Sequence, residues 1–223
     1  MKQIGKGLTA EVFELSEDKV IKLFNKGYPK QAIRREFRNA RLVNSFKING
    51  PQAFEMKEVD GRLGIVYGYV KGQCIESIFD SGVDLEKNLQ GFCQLQKSFY
   101  NHKKLFMLDY KTYGRALVAG KVRDKKEASE YLRFIKSFPN ANTVVHGDFH
   151  PLNVFVEEDG GLKVIDFMNM MRSPAEYDIA RTYFLIGAVS AEFAQAYLSV
   201  MGYTVDEISD YVELVKLYRK LEG

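Results

Sequence analysis

Asp148, Asn153 and Asp166 lie in one short segment that could do chemistry. It reads Val144-Val145-His146-Gly147-Asp148-Phe149-His150-Pro151-Leu152-Asn153, then Val154-Phe155-Val156, a Glu157-Glu158-Asp159-Gly160-Gly161 connection, and Leu162-Lys163-Val164-Ile165-Asp166-Phe167. Two β-prone runs around a turn predict a hairpin. With Asp159-Gly160 as a two-residue turn, Val156 pairs with Lys163, Val154 with Ile165, and Asn153 with Asp166. An amide oxygen and a carboxylate then stand side by side, with Asp148 on the loop just before them. Hard oxygen donors of this kind suit Mg2+, which takes one or two carboxylates and fills its other positions with phosphate and water. The competing chemistry is a transition-metal hydrolase centre built on His146-x-Asp148-x-His150. Only one further histidine, His102, exists in the chain, too few imidazoles for a two-metal site, so both histidines are read as hydrogen-bonded supports of the loop.

The elements that position these residues follow from periodicity. With 223 residues, 46% hydrophobic and 27% charged, the chain has the composition of a folded domain and room for one large domain or two small lobes. Val12–Leu15 and Val20–Phe24 are β-prone runs on either side of a polar connection, preceded by Gly5-Lys6-Gly7-Leu8-Thr9-Ala10. Ile33, Phe37, Ala40 and Val43 recur at helical steps and predict an amphipathic helix from Lys30 to Phe46, after Pro29. Ala53–Val59 and Leu63–Val70 flank Asp60-Gly61, a hairpin turn signal. Beyond Gly72 the pattern is mostly helical: Leu85–Leu105, Glu127–Phe138, and three closing helices, two with the capping-box signatures Ser173-Pro174-Ala175-Glu176 and Thr204-Val205-Asp206-Glu207. The expected boundary separates a β-rich N-lobe, Met1–Val70, from a mainly helical C-lobe, Lys71–Gly223.

Charge and cysteine content narrow the function classes. The net charge of +3 is too small to argue for nucleic acid. It is unevenly spread, with 11 Lys and Arg against 4 Asp and Glu from Lys97 to Lys136, and 3 against 12 from Asn140 to Val215. Cys74 and Cys93 lack metal-type spacing and form no disulfide framework. Neither a secretory h-region nor a membrane-length apolar run is present, so a soluble, cytoplasmic protein without a membrane partner is expected.

His146-x-Asp148-x-x-x-x-Asn153 followed by Ile165-Asp166-Phe167 resembles the catalytic loop and metal-binding segment of the aminoglycoside phosphotransferase and choline kinase family, a branch of the protein-kinase-like fold. The resemblance implies a two-lobed α+β fold, ATP or another nucleoside triphosphate with Mg2+, and transfer of the γ-phosphoryl group to a hydroxyl. It makes Asp148 the base and Asn153 and Asp166 the metal ligands. It assigns Gly5, Gly7 and Thr9 to the phosphate-covering loop, in which Ala10 replaces a third glycine, and Lys22 to the α- and β-phosphates. By the same resemblance Glu36, on the edge of the helix's buried stripe, is expected to pair with Lys22, and the strand end at Gly68 and Val70 resembles the family's adenine-binding hinge. Tyr177-Asp178-Ile179-Ala180 resembles the family's Asp-Leu-Ala segment, whose acid braces the catalytic loop.

The acceptor expected is a small hydroxyl compound, cationic because of the acidic block, with Tyr177, Tyr183 and Tyr203 offering cation–π contacts. Family members commonly carry more helix after the metal segment than is present here, so the acceptor site is expected to be reduced, open, or completed by a partner or second copy. A compact atypical protein kinase and a nucleotide-binding regulatory protein without transfer activity are the rival classes.

Overall fold

Val, Ile and Phe crowd into the first third of the chain and build a five-stranded antiparallel sheet. Its strands are β1 (Lys2–Lys6), β2 (Ala10–Glu14), β3 (Lys19–Phe24), β4 (Ala53–Val59) and β5 (Arg62–Gly68), in the order β1-β2-β3-β5-β4. β3 is therefore an interior strand, and Ile21 and Phe24 on it are fully buried. The β4–β5 connection is the expected tight turn: Asp60 and Gly61 both have positive φ, 50° and 73°, as a type I′ hairpin requires. Helix α1 (Lys30–Ser45) starts after Pro29, whose carbonyl accepts from Ala32 and Ile33. It buries Ile33, Glu36, Asn39, Ala40 and Val43.

A second, three-stranded sheet has the order β6-β8-β9, with β6 (Gly72–Cys74), β8 (Val154–Glu157) and β9 (Leu162–Val164), and α2 (Ile75–Ser81) follows β6. The β8–β9 register corrects the sequence expectation by one residue: Val154 pairs with Val164, Phe155 with Lys163 and Val156 with Leu162. Only Gly160 of the turn has positive φ (80°). The Gly160 N–H donates to Glu157 O at 2.9 Å, and the Glu157 N–H to Gly161 O at 2.9 Å. The connection is thus a three-residue loop, with a glycine in the left-handed region acting as a G1 bulge, where a two-residue turn was expected.

The remaining elements are α3 (Leu85–Tyr100), α4 (Tyr110–Lys121), α5 (Lys125–Ser137), β7 (Val144–Val145), β10 (Met171–Arg172), α6 (Ala175–Gly187), α7 (Ala191–Met201) and α8 (Val205–Glu222). β7 and β10 pair with each other. The capping box forms at α8, where Thr204 and Glu207 exchange hydrogen bonds. At α6 it does not: Pro174 is the N-cap with no side-chain cap, because the Ser173 hydroxyl bonds the Pro174 carbonyl and the Ser173 N–H pairs with Thr143. α4 has no counterpart in the periodicity reading, since Gly114 interrupts its apolar stripe.

The computed structural model describes all 223 residues, and they divide into two compact units. One is Met1–Leu85 with Pro151–Asn169, the other Glu86–His150 with Met170–Gly223. Tyr110, Tyr177 and Tyr218, all fully buried, pack together in the second unit. A Cβ on Gly114 would overlap the Tyr218 hydroxyl, which donates to the Tyr110 carbonyl at 3.1 Å. Gly114→Ala gains helix propensity but overpacks this cluster, so the variant should melt about 5–10 °C below the wild type in a thermal scan. No helix is long and apolar enough to cross a membrane.

Candidate active site

Lys22 projects from the interior strand β3 into a carboxylate pair. Its Nζ donates to Glu36 Oε1 at 2.8 Å and meets Asp166 Oδ1 at 3.1 Å. The Tyr67 hydroxyl, on β5, also donates to Glu36 Oε1, at 3.1 Å. Glu36 is almost closed to solvent, 1% exposed, whereas Asp166 is 40% exposed. Burial opposes the Lys22 charge, but the two carboxylates outweigh it and hold the ammonium above its usual range. Glu36 moves upward as well, driven first by burial and offset in part by Lys22. Helical spacing is what delivers Glu36: it lies three residues beyond Ile33 and four before Ala40, on the inner edge of α1.

Asp166 lies in the left-handed region, φ 64°, uncommon for a non-glycine residue but more accessible to Asp and Asn than to most. Its flanks are tied down. Asn39 of α1 donates to the Phe167 carbonyl at 2.8 Å, and Val164 N–H donates to Asn49 O at 3.0 Å. Asn153 ends a 3-10 turn, Pro151–Asn153, and its carbonyl accepts from the Ile165 N–H at 2.9 Å. The shifted register therefore sets Asn153 opposite Ile165, one residue short of the expected Asp166 partner. The donor chemistry still fits Mg2+, since an amide oxygen and a solvent-accessible carboxylate are hard ligands that leave coordination positions for phosphate.

The glycine-rich segment forms the β1–β2 turn. Gly7 N–H donates to Ala10 O at 2.9 Å, Asn25 N–H donates to Thr9 O at 2.8 Å, and the Asn25 side chain donates to Leu8 O at 2.8 Å. Gly5 faces Val12 across the ladder, and Gly7 and Thr9 are exposed. Ala10, in the place of the expected third glycine, is buried in β2 opposite Phe24. At the expected hinge, the Gly68 N–H is committed to Gln52 O at 2.8 Å and the Tyr69 N–H to Asp18 O at 2.8 Å, with Val70 following half-buried.

In the second unit Asp148 is 25% exposed, and its Oδ1 accepts from Arg181 Nη2 at 3.2 Å. His150 Nε2 stands 4.0 Å from its Oδ2. Asp178 does brace this loop: its Oδ1 accepts from the Gly147 N–H at 2.7 Å, while Oδ2 accepts from Gln96 at 3.0 Å and Tyr100 at 3.1 Å. Gly147 has φ 76°, a left-handed conformation that glycine adopts without strain. His146 is fully buried, with Phe99 and Phe149 edge-on at 5.5 and 5.6 Å. It packs as part of the core, and no cluster of three or more His, Cys, Asp and Glu side chains suited to a metal ion forms.

One expectation changes. Tyr177 is sealed between Tyr110 and Tyr218, with centroids at 5.3 and 6.0 Å, and cannot meet an incoming cation; Tyr183 and Tyr203 stay partly exposed. Arg181, Gln96 and Asn39 carry contacts that the sequence reading did not assign. Arg181 was findable, since it stands one helical turn after Asp178 on the same face.

A search of the curated proteins by sequence finds no match. Solved structures with the same fold include aminoglycoside phosphotransferase APH(3'')-Id from Streptomyces rimosus ATCC10970 in complex with ADP and streptomycin. It is 14% identical, with a TM-score of 0.68 over 93% of this chain and 90% of that one. A thermostable mutant of aminoglycoside phosphotransferase APH(4)-Ia is 15% identical, TM-score 0.72, over 99% and 86%. Choline kinase LicA from Streptococcus pneumoniae is 15% identical, TM-score 0.68, over 99% and 82%. These likenesses establish the two-lobed, protein-kinase-like α+β fold. The family model described as "Phosphotransferase enzyme family" matches residues 1–210, and the chain accordingly belongs to that family, APH.

Proposed function

We propose that the chain transfers the γ-phosphoryl group of ATP to a hydroxyl of a small molecule. The observation that carries this reading is the Lys22, Glu36 and Asp166 cluster, a buried ammonium kept charged by one sealed carboxylate and one accessible carboxylate. Such a group offers a fixed positive charge for nucleotide phosphates next to a hard metal ligand. In this reading Asp166 and Asn153 hold Mg2+, which when bound neutralises charge on the phosphates. Lys22 steadies the α- and β-phosphates, Gly5, Gly7 and Thr9 cover them, and Gly68 and Val70 receive the adenine. Asp148 takes the proton of the attacking hydroxyl.

The acceptor class proposed is a cationic hydroxyl compound. Glu192, Asp206, Glu207 and Asp210 are exposed and belong to the acidic block, although Glu207 is spent on the α8 cap. The ADP and streptomycin complex of the S. rimosus relative supports a nucleotide and a small-molecule acceptor. The test is Mg-ATP turnover against aminoglycosides, amino alcohols, neutral sugars and proteins at two ionic strengths. Turnover should rise with cationic acceptors, and their apparent affinity should weaken in high salt. A preference for neutral sugars would refute the cationic assignment, and phosphorylation of protein alone would favour a protein kinase. Asp166→Ala should weaken Mg-ATP binding about 10-fold or more while leaving metal-free nucleotide binding less affected, read by calorimetry with and without Mg2+.

A further inference from the structure

Arg181 and its second partner have no role in the reading so far, and Glu222 lies beyond the residues the family model matches. The Arg181 side chain is 4% exposed. Its Nε and Nη2 both donate to Oδ1 of Asp148, at 3.4 and 3.2 Å. Its Nη1 and Nη2 donate to Oε1 and Oε2 of Glu222, at 3.0 and 3.3 Å. Glu222, in the last turn of α8, is anchored in turn. The Tyr113 hydroxyl donates to Oε1 at 2.8 Å and Arg219 Nη1 to Oε2 at 2.8 Å. Burial works against the Glu222 charge, but Arg181, Tyr113 and Arg219 overcome it and hold the carboxyl below its usual range.

We propose that Glu222 is a positioning residue for phosphoryl transfer, acting through Arg181 to set how Asp148 is held. The proposal rests on the reading of Asp148 as the base. A guanidinium presents a planar fork that matches both oxygens of a carboxylate. Here the Nη1 and Nη2 fork is spent on Glu222, and Asp148 receives the Nε and Nη2 edge through one oxygen. A buried guanidinium demands compensation. Without Glu222, that demand falls on Asp148 alone, and the fork can swing onto it as a two-oxygen clamp. The carboxylate that must accept the acceptor's proton would then be locked in an ion pair. Glu222 prevents this by dividing the guanidinium's charge and fixing its orientation from the far side.

Two measurements on the full chain test the proposal. The first is thermal melting of Glu222→Gln, Asp148→Ala and the double variant, in the wild-type and Arg181→Met backgrounds. With Arg181 present, the double variant should lose about 5 °C more than the sum of the singles, because the guanidinium is then buried without a carboxylate. With Arg181 removed, that excess should vanish. Additive losses with Arg181 present overturn the coupling even if the Arg181→Met series fails to fold. The second is steady-state Mg-ATP hydrolysis, water standing in for the acceptor hydroxyl. Glu222→Gln should lower kcat about 10-fold with the KM for ATP unchanged within about twofold, and Glu222→Asp should recover part of the loss. Unchanged kcat in folded Glu222→Gln shows a purely structural role and overturns the proposal. A wild type that moves no phosphoryl group to water or to any acceptor, with the melting coupling intact, instead counts against Asp148 as base and removes the catalytic half of the proposal with it.

Discussion

Asp148→Asn should lower Mg-ATP turnover by about 10²–10⁴-fold, the range over which a positioned base contributes. Nucleotide affinity should stay close to that of the wild type. The separation follows from where the charges sit. Lys22 is bonded to Glu36 and Asp166, and Asp148 to Arg181; the two sets share no bond, so under the proposed reading the substitution leaves the Lys22 cluster as it is. It also leaves Arg181 with a hydrogen-bond acceptor on each side: Asn keeps a side-chain oxygen where Oδ1 now takes the bonds of Nε and Nη2, and Glu222 still balances the buried guanidinium. The variant should therefore fold, and its loss of turnover should reflect the missing base. Turnover is read with the best acceptor from the panel, and affinity by titration calorimetry with Mg-ATP. An Asp148→Asn enzyme within about twofold of wild-type kcat would exclude the base role, and a parallel collapse of nucleotide binding would mean that Asp148 acts on the nucleotide.

The chemistry-bearing residues were legible in the sequence to very different depths. Lys22 and Glu36 were readable because a periodic strand and a periodic helix each orient their side chains by a short-range rule. Neither pattern pairs them by itself; the pairing was what the resemblance implied, and the structure sets Lys22 Nζ 2.8 Å from Glu36 Oε1. Asp166 is different. It lies between a Phe167 carbonyl bonded to Asn39 and a β9 strand bonded to Asn49, long-range contacts that no local pattern encodes. The hairpin register failed for a smaller reason. Asp159-Gly160 is compatible with a two-residue turn, but Gly160 alone adopts positive φ, and this three-residue solution shifts every pair by one. Turn residues narrow the choice of turn, and the flanking ladder decides among what remains.

Helices with a clean stripe and a side-chain cap were equally plain, as α8 shows, while α4 was hidden by Gly114 on its buried face. That glycine reads as a helix weakener in one dimension. In three dimensions it is the gap that admits Tyr218. Arg181 shows the opposite limit, since its position on α6 was accessible from spacing but its partners were not. Glu222 lies 41 residues away along the chain, and only the packing of α6 against α8 brings the two together.

Asp178→Ala should cost about 3–5 kcal/mol of stability, seen as a drop of roughly 10 °C or more in the melting temperature. It should also slow turnover, because it releases the loop that carries Asp148. Asp178 is fully buried and accepts from three donors: the Gly147 N–H, Gln96 Nε2 and the Tyr100 hydroxyl. Alanine would strand all three inside the second unit, where burial keeps water from replacing the lost acceptor. The direction of each bond in this network is set from its far end. Tyr197 donates to Gln96 Oε1 at 2.7 Å, which turns Gln96 Nε2 toward Asp178 and Thr182, and Thr182 donates onward to the Phe149 carbonyl at 2.7 Å. Asp178→Asn consequently should recover only part of the loss. Its amide oxygen can still receive Gly147, but its amino group would face the Gln96 donor, and flipping Gln96 would reverse the bond from Tyr197 and deprive Thr182 of its incoming donor. The ordering expected in melting temperature is wild type above Asn above Ala, with kcat following the same order and Mg-ATP affinity nearly constant. Equal melting of Asn and wild type would show that the network can reverse its polarity without cost, and an Ala variant with wild-type kcat would show that the Gly147 bond does not hold the loop that carries Asp148 in the geometry turnover needs.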